Sequence, residues 1–513
     1  MDINVTLVVA LSAWVAGLLL SVCIEALMTP RPSLHRPWGA WALHVALWTL
    51  TFDAFLLVLG RPWFSMAIVS AVMLTFILVN NAKQKALREP FVFQDYEYFT
   101  DAIRHPRLYI PFLGWLKFIG AVGGFVLAVA IGLLGESLPE MRLAVRGQGG
   151  AMLVLLVIGL LLLRAGLRQA LPITLDPTLD LPRLGFWASF IRYGQEESQF
   201  PRAASPFATL PAATTQTAQL SHLVTIQSES FFDARALYPG VKKDVLHHFD
   251  QLKRDALVRG TMKVPAWGAN TVRTEFAFLS GISNRSLGVH RFNPYRAVAA
   301  GWKPGSVALH LKRQGYRTVC IHPYPKSFYR RDRVFPRLGF DEFIDIEQFD
   351  EQSRFGPYTS DDAVAEKIES ILKFATGPVF IFVVTMENHG PLHLESVSQS
   401  DIDDLYTEPP PSGCDDLTVY LRHLRNADRM LARLRAFLER QKFPARLCWY
   451  GDHVPIMPEV YQQFGAPDGT VEYILWSNVE AGRGEVRNTR VEEVSRIMVT
   501  EQSRATAQAR YGT

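Results

Sequence analysis

The sequence predicts an N-terminal all-α transmembrane bundle followed by a C-terminal α/β domain with a mostly parallel central sheet. Three observations predict it. Long uncharged apolar segments are confined to the first third of the chain. A Pro-, Ala- and Thr-rich stretch follows them. Beyond that stretch, short continuous apolar runs alternate with amphipathic helical patterns.

The apolar segments are residues 3–28, 38–60, 62–80, 108–134 and 150–172. Each is near or above the roughly 20 residues a helix needs to cross the hydrocarbon core, which gives a bundle of about five spans. The first is too long, and too poor in N-terminal Lys and Arg, for a plain cleaved signal peptide. Composition agrees, with 49% hydrophobic and 20% charged residues. A net charge of +4 over 513 residues is small, and no motif for binding RNA or DNA is present. Cys23, Cys320, Cys414 and Cys448 form no CxxC pair, so they mark neither a zinc knuckle nor a disulfide scaffold. Core packing is the expected role of Cys23, in an apolar run, and of Cys320 and Cys448, in apparent strands.

LPRLGFWASFIRY at 181–193 sets Leu, Phe, Trp and Ile beside Arg183 and Arg192. This suits a helix lying on the membrane surface, or an ordinary helix packed on the soluble domain. PRAASPFATLPAATTQTAQ at 201–219 has one charge and no periodicity, and reads as a linker. The expected organisation is a transmembrane domain at 1–175, a juxtamembrane helix and linker at 176–219, and a domain at 220–513 long enough to bury its own core. No internal repeats are found.

Within that last domain, LVTIQ (223–227), YRTVCIH (316–322), PVFIFVVT (378–385), RLCWYG (446–451) and EYILW (472–476) read as buried strands. Continuous apolar runs of this kind belong to parallel strands covered on both faces. Helical patterns alternate with them, clearest at 416–439 and 361–375, and the alternation implies an α/β fold. Such sheets bind ligands beyond the carboxyl ends of their strands. Polar residues gather there: Ser228-Glu229-Ser230 after the first run, His322 at the end of the second, Glu387 and His389 after the third, and Gly451-Asp452-His453 after the fourth. Hard oxygen and imidazole ligands suit a divalent metal such as Mn²⁺ or Zn²⁺. Gly451 is expected to let the backbone turn beneath them.

WGANTVRTEFAFLSGI (267–282) places Thr271 at the start of a helical pattern. Free backbone N–H groups and the helix dipole favour a phosphate there. Metal coordination can turn a threonine hydroxyl into a nucleophile. Taken locally, Thr271 or Asn270 can equally be an N-cap.

In this order, VTIQSES, GANTVRTEF, HPYPKSFYRRDRVFPRLGFDEFID, TMENHGPL and YGDH resemble the motifs of the lipoteichoic acid synthase and phosphoglycerol transferase family. These are membrane-anchored proteins of the alkaline phosphatase/sulfatase superfamily. The resemblance spans the whole layout and implies a sulfatase-like α/β domain. It implies Glu229, Thr271, Asp452 and His453 as ligands of one divalent metal, Mn²⁺ first, with Zn²⁺ or Mg²⁺ as alternatives. It implies Thr271 as nucleophile and His322, Arg331 and His389 as phosphate-binding residues, with His389 or His322 serving as general acid. Tyr329 stands where the family carries an aromatic, often Trp. The implied reaction moves a phosphoglycerol headgroup from phosphatidylglycerol to an envelope glycan or glycolipid through a covalent threonine intermediate. The Ala- and Arg-rich composition favours a glycan acceptor over lipoteichoic acid.

The family acts outside the bacterial cytoplasmic membrane, so the domain at 220–513 is expected to be extracytoplasmic. Lys83, Lys85, Arg88, Arg104 and Arg107 in 81–107 point the other way by the positive-inside rule, and the more specific motifs outweigh them. Three enzyme alternatives remain: a phosphoethanolamine transferase, a phosphodiesterase and a sulfatase. The last lacks its C/S-x-P-x-R motif at the nucleophile position. A non-enzymatic protein that binds or senses envelope glycan or lipid is the alternative from another class.

Overall fold

The structure is a computed structural model and describes residues 3–138, 147–210 and 220–511. It divides into two compact units, Met1–Gln199 and Phe200–Thr513.

Among the described residues, the first unit contains five helices long and apolar enough to cross a membrane: Val5–Glu25, Trp38–Leu59, Pro62–Leu87, Trp115–Gly135 and Gly149–Arg168. Large apolar side chains such as Leu19, Leu57, Leu116 and Leu134 stand exposed on them, as lipid-facing residues do. Cys23 is exposed as well, because it lies on such an outward face, and the core role expected for it does not hold. The third helix continues past the predicted end at residue 80 to Leu87. There Lys83 is buried and donates to Glu89 Oε1 at 2.6 Å, Asp95 Oδ2 at 2.6 Å and the Pro90 carbonyl at 3.0 Å. The predicted fourth segment breaks at Gly114, whose φ is 86°, into Pro106–Leu113 and Trp115–Gly135.

LPRLGFWASFIRY forms two short helices, Pro177–Leu184 and Phe186–Glu196, broken at Gly185. Leu181, Leu184, Phe186 and Ala188 are buried. The Phe186 ring lies 5.5 Å from that of Phe76 in the third helix, and the Tyr193 hydroxyl donates to Asp180 at 2.8 Å. This apolar face packs inside the first unit.

The second unit is built on a mixed sheet. Its strands, with those of a separate hairpin, are β1 (His222–Ser228), β2 (Val258–Lys263), β3 (Arg317–Ile321), β4 (Glu342–Ile344), β5 (Arg354–Phe355), β6 (Tyr358–Thr359), β7 (Val379–Val384), β8 (Ala445–Gly451), β9 (Thr470–Ser477), β10 (Glu485–Val486) and β11 (Thr489–Arg490). The order is β10-β2-β9-β8-β1-β7-β3-β4, with β11 also on β2 and the β5–β6 hairpin apart. All pairings in the large sheet are parallel except those of β9, which runs antiparallel to β8 and β2. The five predicted strands form. β2 escapes the reading because VRGTMK holds a glycine and two cations, and its burial is broken rather than continuous.

Parallel register sets the site. Ser228 pairs with Gly451, Gln227 with Val384, and Ile321 with Val383. The carboxyl ends of β8, β1, β7 and β3 are therefore level, and the residues that follow them emerge at one edge. Beneath that edge, the helix Asp415–Glu439 buries Leu417, Tyr420, Leu424, Leu431, Leu434 and Leu438, the predicted stripe. In the predicted linker, Phe207 is buried and the Ser205 hydroxyl donates to the Ser280 carbonyl at 2.6 Å. Residues 211–219 lie outside the described residues.

Candidate metal centre and active site

β1 and β8 deliver Glu229, Asp452 and His453 together. Ligand atoms of all three lie within 4.8 Å of one another, and all three residues are buried. His453 Nε2 is 3.4 Å from Asp452 Oδ2 and 3.7 Å from Glu229 Oε1. Among the described residues, neither His453 Nε2 nor Asp452 Oδ2 has a hydrogen-bond partner. A buried polar atom without a partner costs about 1–3 kcal/mol. Here two such atoms converge, and burial together with the Asp452 charge pushes the Glu229 carboxyl up. Two carboxylates and an imidazole nitrogen form a donor set that fits a divalent cation.

Neighbouring groups orient these ligands. His453 Nδ1 lies 3.2 Å from the Val454 carbonyl. A carbonyl only accepts, so Nδ1 carries the proton and Nε2 keeps its lone pair. Ser230 has a positive φ of 53°. In that conformation its N–H donates to Asp452 Oδ1 at 2.8 Å and its hydroxyl to Glu229 Oε1 at 2.9 Å. The Glu229 N–H donates to the Thr385 hydroxyl at 2.9 Å, which ties β1 to the end of β7. Gly451 is required for space rather than for a turn. Its φ is not positive, and a Cβ there would lie 1.9 Å from the Phe231 carbonyl oxygen. The strand passes too close to Phe231 for any side chain, which corrects the expected role of this glycine.

Thr271 is the first residue of the helix Thr271–Ser280, behind Asn270 in the left-handed region at φ 66°. Asn270 makes no side-chain cap. One turn on, the Thr274 hydroxyl donates to the Asp452 carbonyl at 2.8 Å. Residues three apart share a helix face, so this bond holds the Thr271 end of the helix against the Asp452 segment.

His322 and His389 stand at the ends of β3 and β7. His322 Nδ1 lies 3.0 Å from the Val384 carbonyl and His389 Nδ1 lies 2.7 Å from the Gly390 carbonyl. Both therefore carry the proton on Nδ1 and present a bare Nε2. Burial, then the charge of Arg331, pushes the His322 imidazole well down, and burial lowers His389 too, so both are neutral at pH 7. Arg331 is buried, and its guanidinium lies 5.3 Å from the Tyr329 ring centroid. Tyr329 and Arg330 both adopt positive φ, 54° and 56°; such strain is retained where the surroundings over-determine it.

Glu387, the other strand-end carboxylate, faces away from this group. His423 Nδ1 meets it at 3.0 Å and Asn426 Nδ2 donates to it at 2.7 Å. Sequence reasoning did not assign Ser230, Thr274, Thr385 or Glu275 any role. Their neighbours in the motifs were the available signal.

A family model described as Sulfatase matches residues 221–498. The capsular polysaccharide biosynthesis protein RkpI of Rhizobium meliloti (strain 1021) is 27% identical over 452 residues, covering 83% of this chain and 79% of its own. Lipoteichoic acid synthase 1 of Bacillus subtilis (strain 168) is 25% identical over 97 residues, 17% of this chain and 14% of its own. Among solved structures, the integral membrane protein lipooligosaccharide phosphoethanolamine transferase A from Neisseria meningitidis superposes with a TM-score of 0.52 at 11% identity. The match covers 96% of this chain and 94% of that one.

Proposed function

Because the chain belongs to the sulfatase family, with the membrane-helix and α/β layout of a phosphoethanolamine transferase, we propose that it transfers a phosphoglycerol headgroup. The donor is phosphatidylglycerol, the acceptor is an envelope polysaccharide, and Thr271 carries the group between them. One observation carries this reading: the unpartnered atoms of Asp452 and His453 converge with Glu229, and Thr274 holds the start of the Thr271 helix against the same segment.

Glu229, Asp452, His453 and the Thr271 oxygen would hold the cation, with Mn²⁺ as the first candidate. When bound, such a cation lowers the pKa of a coordinated hydroxyl and neutralises charge on phosphoryl oxygens. The remaining work belongs to the chain. Thr271 Oγ bonds to phosphorus as the phosphorus–oxygen bond to diacylglycerol breaks. The acceptor hydroxyl then bonds to phosphorus and releases Thr271. His322 and His389, neutral with bare Nε2, are suited to take a proton from an incoming hydroxyl and return it to the leaving oxygen. Arg331 and the N–H groups at the start of the Thr271 helix bind phosphate oxygens. Tyr329 lines the headgroup position.

Two features favour this reading over its rivals. None of the four cysteines is paired, whereas exported phosphoethanolamine transferase domains resembling this one usually carry paired cysteines. One relative with broad coverage is named for capsular polysaccharide biosynthesis, which fits a glycan acceptor. The catalytic unit is placed outside the cytoplasmic membrane. Lys83, counted against that orientation, has its charge paired with Glu89 and Asp95.

The test incubates membranes with glycerol-labelled phosphatidylglycerol. Label passing to polysaccharide with wild type and not with Thr271→Ala supports the proposal. Equal transfer by both eliminates Thr271 as nucleophile, and label released only as free glycerol phosphate turns the reading to hydrolysis.

A further inference from the structure

Arg331 has a fixed partner that the reaction above does not use. Glu275 lies one turn after Thr271 in the helix Thr271–Ser280 and is fully buried. Arg331 Nε donates to Glu275 Oε1 at 3.1 Å, and Arg331 Nη2 to Oε2 at 2.8 Å. The buried Tyr295 hydroxyl donates to the same Oε1 at 2.5 Å. One edge of the guanidinium is thereby closed by a bidentate pair, the geometry that best fixes an arginine. The remaining nitrogen, Nη1, is buried and makes no hydrogen bond among the described residues.

Two consequences follow. First, an unpaired buried donor is costly, so Nη1 marks the position of an acceptor that arrives with the ligand. Glu275 stands one turn after Thr271, so its bidentate bond sets the guanidinium against the helix that begins at Thr271. Second, Glu275 cancels that charge. The pair offers a strong donor without a net positive charge. A phosphodiester carries one negative charge, whereas a phosphomonoester carries close to two at neutral pH. A cationic arginine favours the dianion, and a neutralised one removes that advantage.

We propose that Glu275, braced by Tyr295, is a specificity-determining residue that holds Arg331 in a neutral pair with one donor free and so sets the site for monoanionic phosphodiesters. It acts through Arg331 and does not touch the phosphate. The proposal rests on the phosphodiester-transfer reading for its biological meaning, but its test does not.

The full chain, purified in detergent and loaded with Mn²⁺, is titrated at pH 8 with dimethyl phosphate and with inorganic phosphate, and binding is read by calorimetry. Glu275→Gln is expected to move the affinity ratio toward inorganic phosphate by about tenfold, the scale of one partly screened charge interaction. Tyr295→Phe keeps the carboxylate but removes its brace, so the pair with Arg331 loosens and the ratio moves the same way by a smaller factor. It decides the matter if Glu275→Gln does not fold. A ratio unchanged in the folded variants, or equal loss for both anions, overturns the proposal. If wild type transfers no headgroup and the ratio still moves, the transferase reading fails and the role of Glu275 stands. If transfer is normal and the ratio does not move, the reverse holds.

Discussion

Two clusters of carboxylates around a buried histidine stand beyond adjacent strands of the same sheet, and only one of them is open. In the first, Glu229, Asp452 and His453 point at one another, and His453 Nε2 and Asp452 Oδ2 have no partner. In the second, His423 is satisfied at both ring nitrogens, by Glu387 at 3.0 Å and by Glu395 at 3.1 Å. Arg422 donates to Glu395 at 2.9 Å and Asn426 to Glu387 at 2.7 Å. The residue types are almost the same. The difference is unsatisfied valence: one cluster leaves two polar atoms without a partner among the described residues, and the other is complete as it stands. Strand-end carboxylates therefore divide into candidate ligands and braces, and position in the sheet does not separate them.

The largest expected effect comes from breaking the closed cluster. His423→Leu strips the buried Glu387 of its charged partner and leaves the half-buried Glu395 with Arg422 alone, and should destabilise the protein by about 3–5 kcal/mol, the cost of leaving a buried charge uncompensated. It should leave Mn²⁺ affinity intact in the folded fraction. Unfolding by urea, followed alongside Mn²⁺ titration, checks both. Loss of metal binding at unchanged stability would reverse the roles assigned to the two clusters.

Breaking the open cluster should give the opposite signature. Asp452→Asn keeps the size of the side chain but removes a charge, and Mn²⁺ affinity should fall by about 100-fold, at the upper end of what even indirect support of a ligand is worth. The metal-free protein should be no less stable, because the substitution relieves the like charge that raises Glu229. An unchanged Mn²⁺ midpoint would remove Asp452 from the ligand set.

The two clusters also differ in how far the sequence revealed them. Glu229, Asp452 and His453 were legible because each directly follows a continuous apolar run, and parallel strands carry such residues to one edge. Thr271 was legible because Gly268 and Asn270 precede a helical pattern. Glu387 met the same criterion and is a brace, because its partners sit 36 and 39 residues away in the helix Asp415–Glu439. Contacts of that range leave no local periodicity. Glu275 was visible inside a quoted motif, yet its bond to Arg331 spans 56 residues. Gly451 was read as a turn because glycine permits positive φ, whereas its reason is a carbonyl oxygen contributed by β1's following loop. β9 was legible as a strand but its direction was not, since an antiparallel strand buried on both faces reads the same as a parallel one.

A smaller effect tests how the open cluster is held. Ser230 binds Asp452 through its N–H and Glu229 through its hydroxyl. Ser230→Ala removes only the hydroxyl bond and leaves the backbone one. Mn²⁺ affinity should fall about tenfold, the lower range for a residue that orients a ligand, with little change in stability. A loss as large as that of Asp452→Asn would mean that the hydroxyl itself binds the metal.

The smallest effect separates the clusters by pH. Burial opposes charge on His423, but its hydrogen bonds to Glu387 and Glu395 prevail and raise it from 6.5 to about 9. A group whose folded pKa lies above its unfolded value binds more protons in the folded state, so its contribution is complete below pH 6.5 and is lost as pH rises through 9. Between pH 7 and pH 8 the loss is roughly 1 kcal/mol, from one pKa unit being worth about 1.36 kcal/mol. The urea midpoint of the metal-free wild type should therefore decline over that interval, and His423→Leu should decline less by about that amount, keeping what the raised Glu229 and Glu472 carboxyls contribute. Asp452→Asn should retain the His423 share, because its cluster does not include His423, and should lose part of the share that the raised Glu229 carboxyl adds. A decline that vanished in Asp452→Asn instead would place the titrating group in the open cluster and erase the distinction between the two.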